Sequence, residues 1–384
     1  MFLVLVRAAW IAPFLTEKFI WLSILMVLNK SLSVLCLSFC LWLASCAPAP
    51  PSGSVVYTSF PSERRLQGRP VSVDTALFRY PFRVRVQGDR AAVLDLHGTD
   101  HFVHLFSYPD FRYVASCARR GEGPEETLSA EDIRWKGDCL QLLDANRSEL
   151  TVWQEAGDTL VRRSRVKLDE GLLRALDFVQ GGDTAFLVPD YSGDHRFCVV
   201  SPQGRLLRRW GVIPTENAEA LQESRPALAQ AWRSFLDYNP RNGVLAAATQ
   251  LGEVLELWNL RDSTHVVLRG PGGEPEFRVS QGYGLPTGIM GFSDVQVGDS
   301  AVYAVFHGRA FRDIMQAAQQ GETLPDGGKY LYVFSLRGEP LVRYELDHYV
   351  YGISVDERTG TFLATDVNRD EPIWKYNFRG GDRK

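Results

Sequence analysis

Residues 329–346 read KYLYVFSLRGEPLVRYEL, and the fold follows from how this stretch is built. Tyr330-Leu331-Tyr332-Val333-Phe334 is aromatic, aliphatic and β-branched throughout and is bounded by turn residues, which is the composition of a strand. Leu336-Arg337-Gly338-Glu339 is the turn, where glycine accepts positive φ at little cost. A last strand follows to Leu346. The same layout recurs in units of about fifty residues, the mark of a repeat architecture. Its clearest copies are 91–117, 139–168, 184–211 and 243–270. The quoted stretch joins 301–309 across an insertion, and the last copy spans 361–378. First strands are placed at Ile133-Arg134-Trp135, Ala175-Leu176-Asp177-Phe178 and Val350-Tyr351-Gly352-Ile353-Ser354.

Six four-stranded units without a sustained helical period predict an all-β, six-bladed β-propeller. A pair of β-sandwiches, or seven blades with one irregular, is the alternative. The sixth unit stops after its third strand, near Phe378. A strand from the N-terminal end, within Ser54–Phe60 or Val71–Phe78, is expected to complete it and remove the open sheet edges. Helix-like stretches occur only in two insertions, near 216–235 and 309–320.

The chain ahead of this repeat is of another kind. From Met26 it carries one lysine (Lys30), an apolar run from Leu32 to Leu43, and then Leu43-Ala44-Ser45-Cys46. A basic start, a short apolar core and a small-residue cleavage site describe a signal peptide over residues 1–45, with Met26 as the expected true start. The apolar run falls short of the roughly 20 residues that span a bilayer. The Leu-Ala-Ser-Cys tetrapeptide resembles the lipobox of lipoproteins, which implies lipidation of Cys46. Residues 46–54 then form a Pro/Gly/Ser tether, and 55–384 the propeller.

Charge bounds the partners. The net charge is −4, from 42 basic and 46 acidic residues well mixed along the chain, so the basic footprint of a nucleic-acid binder is missing. After Cys46 only Cys117, Cys139 and Cys198 remain, an odd number that leaves a thiol unpaired and forms no metal-binding pair.

Tyr108-Pro109-Asp110-Phe111, with Gly121-Glu122-Gly123-Pro124-Glu125-Glu126 after it, resembles the TolB-like six-bladed propeller lipoproteins of Bacteroidales. The resemblance covers the chain from about Ser54 to Phe378 and implies the propeller fold; it implies no particular activity. The tether lacks the acidic cluster that similar lipoproteins use for surface export. That implies a lipid anchor in the outer membrane facing the periplasm, with the cell surface second.

Two near-duplicate segments stand out as a candidate ligand site. Gly121–Glu126 follows the last strand of unit one, and Gly270-Pro271-Gly272-Gly273-Glu274-Pro275-Glu276 follows that of unit four. Units one and four are opposite in a ring of six, so both segments are expected to overhang one channel mouth. Glu122, Gly123, Glu125, Glu126, Glu274 and Glu276 would then face a cation, a sugar or a basic peptide. The competing reading is a rigid turn with exposed acids. His97 and His101 flank a hairpin turn, and His101 and His104 face opposite sides of a strand, so the three do not converge on a metal. Asp95, Asp144, Asp190 and Asp366 recur where second strands end and are expected to cap turn amides. No hydrolase elbow, His-Glu-x-x-His or phosphate loop is present.

These features predict an exported, lipid-anchored module that binds a peptide, glycan or protein partner, with no nucleic acid, metal or cofactor. The alternative is a carbohydrate hydrolase or lyase using channel carboxylates.

Overall fold

The computed structural model describes residues 53–378 apart from 183, 218, 220, 221 and 223, together with 382 and 383. Cys46, the leader before it and the tether up to Ser52 lie outside these residues. The first three strands are β1 (Gly53–Val56), β2 (Glu63–Leu66) and β3 (Arg69–Pro70). Blade 1 then runs β4 (Pro81–Gln87), β5 (Arg90–Asp95), β6 (His101–Ser107) and β7 (Tyr113–Arg119). Blade 2 is β8 (Ala130–Lys136), β9 (Cys139–Asp144), β10 (Glu149–Ala156) and β11 (Thr159–Lys167). Blade 3 is β12 (Val179–Gln180), β13 (Phe186–Pro189), β14 (Phe197–Val200) and β15 (Leu206–Trp210). A short helix, α1 (Arg225–Ala231), precedes blade 4, which is β16 (Ser234–Asn239), β17 (Val244–Thr249), β18 (Val254–Asn259) and β19 (Thr264–Arg269).

A hairpin, β20 (Phe277–Ser280) and β21 (Tyr283–Pro286), separates blade 4 from blade 5. Blade 5 is β22 (Phe292–Val297), β23 (Ala301–Phe306), helix α2 (Phe311–Gln319), β24 (Gly328–Ser335) and β25 (Pro340–Val350). Blade 6 has only β26 (Ile353–Asp356), β27 (Thr361–Thr365) and β28 (Ile373–Asn377) from its own unit. The sheets are therefore those of a six-bladed propeller, and the two helices occupy the two expected insertions.

An N-terminal strand closes the last blade, at a position that neither predicted segment contains. β3 pairs antiparallel with β28, with Arg69 opposite Lys375 and Pro70 opposite Trp374. The Val71 amide extends the ladder to the Ile373 carbonyl at 2.9 Å. The expected segment Ser54–Phe60 is drawn elsewhere, because blades 4 and 5 also present open outer edges. β1 adds in parallel to β19 of blade 4, and β2 adds in parallel to β25 of blade 5. Of the other expected segment, Val71 alone reaches the ladder, and Thr75–Leu77 turns into a single 3-10 turn capped by Asp74.

Between β1 and β2 the chain seals the seam between two blades. The Tyr57 hydroxyl donates to Glu253 of blade 4 at 2.9 Å. The Phe60 ring packs at 4.6 Å from Tyr332 and 5.4 Å from Phe334 of blade 5. Removing a buried phenyl ring leaves a cavity as well as lost transfer energy. Phe60→Ala is therefore expected to lower unfolding free energy by about 3 kcal/mol in urea titrations, with the propeller still closed by β3.

Alternating strand direction gives the ring two distinct faces. The crossings from each outer strand to the next inner strand lie on one face, with the links between second and third strands. The tight turns between first and second strands lie on the other, here the hairpin face. α1, the β20–β21 hairpin and α2 all fall on the crossing face. α1 and the hairpin pack together there, the Gly284 amide approaching Gln230 at 3.4 Å. The hairpin face carries no such additions among the described residues.

Candidate functional site

Inner strands of a propeller alternate, so every second side chain points into the central channel. Charged residues occupy these positions in this chain: Arg83 and Arg85 on β4, Asp132 and Arg134 on β8, Asp177 just before β12, Asp237 on β16 and Asp294 on β22. Arg134 reaches Asp132 at 2.9 Å, Asp177 at 3.0 Å and Asp237 at 2.7 Å, and so ties three blades together. Arg85 grips Asp294 with two bonds of 3.1 Å, and Arg83 lies 3.2 Å from the same carboxylate.

Three of the four acids also staple their blade to the next. Asp177 accepts from the Leu236 amide at 2.9 Å, Asp237 from Val297 at 2.7 Å and Asp294 from Ile353 at 2.8 Å. The Val86 amide bonds Ser354 at 3.2 Å, and the Trp135 indole donates to the Arg85 carbonyl at 2.9 Å. The polar contacts run around the whole ring.

The channel does not pass through. Arg83 is buried against two rings, 4.4 Å from the centre of Phe82 and 4.5 Å from that of Phe235. Its Nη1 bonds the Ser293 carbonyl at 3.0 Å. Below this plug, on the hairpin face, a blind cup of about 490 Å³ remains. Arg85 and Arg134 form its floor, and Trp135, Gln141, Tyr238 and Ser354 its walls. Gln141 is 5% exposed, and its Oε1 has no hydrogen-bond partner.

Electrostatics on the floor are set by pairing. Burial opposes the charge on Arg134, but Asp132, Asp177 and Asp237 outweigh it and hold the guanidinium above its ordinary pKa. Burial likewise opposes ionisation of Asp294, and Arg83 and Arg85 overcome it and lower its pKa. Asp132 goes the other way. Burial pushes its carboxyl up to about 7 despite Arg134, and neither oxygen has a well-directed hydrogen bond.

The predicted glutamate segments lie on the crossing face, away from the cup, and each is held by its own neighbours. Glu125 pairs with Arg162 on β11, the outermost strand of blade 2, and the Pro124 carbonyl accepts from Arg165 of the same strand. Glu126 folds back onto the Gly123 amide at 2.9 Å. Arg147 binds the Glu122 and Gly123 carbonyls at 2.9 and 2.7 Å. These arginine bonds draw the first segment outward over blade 2. Glu274 clamps Arg269 at 3.0 Å, Thr215 at 2.7 Å and the Glu216 amide at 2.9 Å. The Glu122, Glu125 and Glu276 side chains stand exposed, Glu125 in spite of its pairing with Arg162.

The recurrent aspartates cap turns. Asp95 accepts from the Arg79 and Tyr80 amides at 2.5 and 2.7 Å, and Asp144 from Leu128 at 2.7 Å, which fixes where each crossing enters the next blade. Asp190 and Asp366 bind the amides of Ser192 and Asn368, both at 2.9 Å. His104 bonds Ser116 at 2.8 Å, and burial lowers its pKa to about 4, while His97 stacks on Tyr80.

The inner-strand charges escaped the sequence reading, although a signal was there. Arg83-Val84-Arg85 and Asp132-Ile133-Arg134 put charge at period two inside strands that are otherwise apolar. Such a pattern in a buried strand marks a polar seam.

Residues 59–358 match the family model described as TolB-like 6-blade propeller-like. The chain belongs to this family. A solved structure of a Bacteroides fragilis protein described as exported superposes on this TolB-like chain with a TM-score of 0.53 at 10% identity. The match covers 86% of this chain and 99% of that one. BamB from Moraxella catarrhalis gives a TM-score of 0.39 at 10% identity, over 77% of this chain and 84% of its own. The first of these likenesses bears on the fold alone. No curated protein matches this TolB-like chain in sequence.

Because the Asp132 carboxyl is raised in the folded state, its contribution to stability is present below its unfolded pKa and is lost as pH rises through about 7. Melting temperature measured from pH 4 to 8 is expected to fall across this window. Asp132→Asn should flatten that fall; an unchanged slope would assign it to other groups.

Proposed function

We propose that this TolB-like propeller is an exported lipoprotein that binds a ligand and does not transform it, with the blind cup on the hairpin face as its ligand site. The observation that carries this reading is the pairing on the cup floor. Four channel carboxylates are present, and each is committed to a guanidinium or a backbone amide of the next blade. A glycosidase needs two carboxyl groups free to exchange protons on either side of the scissile bond. A hoop of ion pairs fixes geometry instead, which is what a rigid binding scaffold requires.

The export half of the proposal rests on the sequence. Residues 1–45 have the order of a signal peptide, Cys46 follows a lipobox-like triplet, and no helix among the described residues is long and apolar enough to cross a membrane. Attachment is then through lipid on Cys46, in the outer membrane and facing the periplasm. The partner would be a peptide, a glycan or another protein of the envelope.

Two measurements test these halves separately. Cys46→Ala is expected to move the protein from the membrane to the soluble fraction and to abolish fatty-acid labelling; retention of both would refute the lipid anchor. A photo-crosslinking residue at Gln180, beside the cup, is expected to capture a discrete species in native membranes, and one at Glu122 on the opposite face is not. Equal yields, or capture only at Glu122, would move the ligand site to the crossing face.

A further inference from the structure

We infer that the cup receives a sugar unit of a neutral oligosaccharide, and that the next unit lies against a second, tryptophan-lined cleft between blades 3 and 4. The inference rests on the cup being the ligand face and adds the chemical class of what it holds.

The first observation is charge. On the floor Arg85 and Arg134 are each paired with channel carboxylates, so neither guanidinium is left to call for an anionic ligand. The second is the kind of wall that surrounds this ion-paired floor. Trp135 and Tyr238 are both half-buried on blades 2 and 4, and the indole is oriented by its bond to the Arg85 carbonyl. Aromatic faces of this kind take apolar C–H surfaces, while a tyrosine hydroxyl remains available at the edge. The third is the Gln141 side chain, nearly buried on the cup wall with its carbonyl oxygen unpartnered. A buried acceptor without a donor is costly unless something supplies one. A hydroxylated ligand supplies donors without bringing charge.

The second cleft extends the site. It measures about 440 Å³ and is lined by Leu187, Val199, Trp210, Trp258 and Leu260. The two indoles meet at 4.7 Å, and Arg208 stands at the lip. The cleft opens because blade 3 is the shortest blade, with an inner strand of two residues. The same blade-3 turn separates the two cavities: Gln180 and Gly182 border the cup, and Gly181 and Ala185 border the cleft. Among the described residues of this saddle, Gly181 and Gly182 carry no side chain. A Cβ on Gly182 would meet nothing within 4 Å. A chain molecule can therefore cross from one aromatic subsite to the other.

The test uses the detergent-solubilised full chain on an array carrying neutral oligosaccharides, acidic oligosaccharides and tryptophan-free peptides, followed by calorimetry with the best neutral tetrasaccharide. Binding is expected for neutral oligosaccharides. Gln141→Leu, which removes an amide with an unpartnered carbonyl, should weaken binding at least tenfold with the melting temperature unchanged. Should that variant prove unstable, Tyr238→Phe is the second probe, since it keeps the ring. Gly181→Phe, which fills the cleft, should weaken the tetrasaccharide and spare a monosaccharide. Absence of oligosaccharide binding, a preference for the peptides or acidic glycans, or full affinity in Gln141→Leu and Tyr238→Phe would overturn the inference. Capture of a polypeptide at Gln180 would overturn the sugar assignment and leave the cup as ligand site, whereas no capture there would remove both.

Discussion

Arg134 is the interaction on which the ring depends. Six sheets packed face to face share no covalent hub, and the inner strands converge where side chains have least room. Arg134 meets acids from blades 2, 3 and 4 at that point, and Arg85 and Arg83 hold Asp294 of blade 5. A guanidinium suits this task because its planar fork addresses several carboxylates at once and stays charged when buried. Taking one partner from such a buried set leaves a stranded charge, which costs far more than the pairing itself contributes. The acids then bond backbone amides of the following blade, so the registry between neighbours is set by polar geometry as well as by apolar packing.

The same constraint shapes the function. The channel is filled by its own ions, and Arg83 lies buried there against the Phe82 and Phe235 rings. What remains is a cup whose floor guanidiniums are paired with carboxylates. The insertions that elaborate the molecule, α1, the β20–β21 hairpin and α2, sit on the other face. The hairpin face is left with a concave surface built almost wholly from inner strands and tight turns, the most rigid parts of each blade.

Outer edges are handled by a different device. The segment before blade 1 lays β1 on blade 4, β2 on blade 5 and β3 on blade 6, so three consecutive edges gain a partner from one strap. Blades 1 to 3 end instead in β7, β11 and β15. The β11 strand, TLVRRSRVK, carries Arg162, Arg163, Arg165 and Lys167, and such charge on a strand edge discourages further pairing. Buried Arg196 and Glu256, 2.7 Å apart, lock blade 3 to blade 4 where the strands of blade 3 are shortest.

The local pattern of the sequence determined the blades. Alternation within 330–334, the turn at 336–339 and the recurrence of both determined strand count and blade count, because period two and turn chemistry act over a few residues, while the family was legible only as a resemblance at Tyr108–Phe111 and Gly121–Glu126. The capping role of Asp95 and Asp144 was legible for the same reason, since an acid where a strand ends meets the amides of its own turn, here His97 and Arg147, whereas their further bonds to the incoming crossing were not legible. Long-range choices were not legible. Which short N-terminal strand closes blade 6 depends on three edges competing for one strap, and only the folded ring ranks them. Glu125 and Glu274 looked like a channel rim in the sequence, yet arginines distant in sequence or paired across a turn, Arg162 and Arg269, hold them at the edge of the molecule. The cup itself exists only in three dimensions: Arg85, Trp135, Gln180, Tyr238 and Ser354 lie on five different blades. Nothing in the chain marks them as neighbours until the inner strands converge.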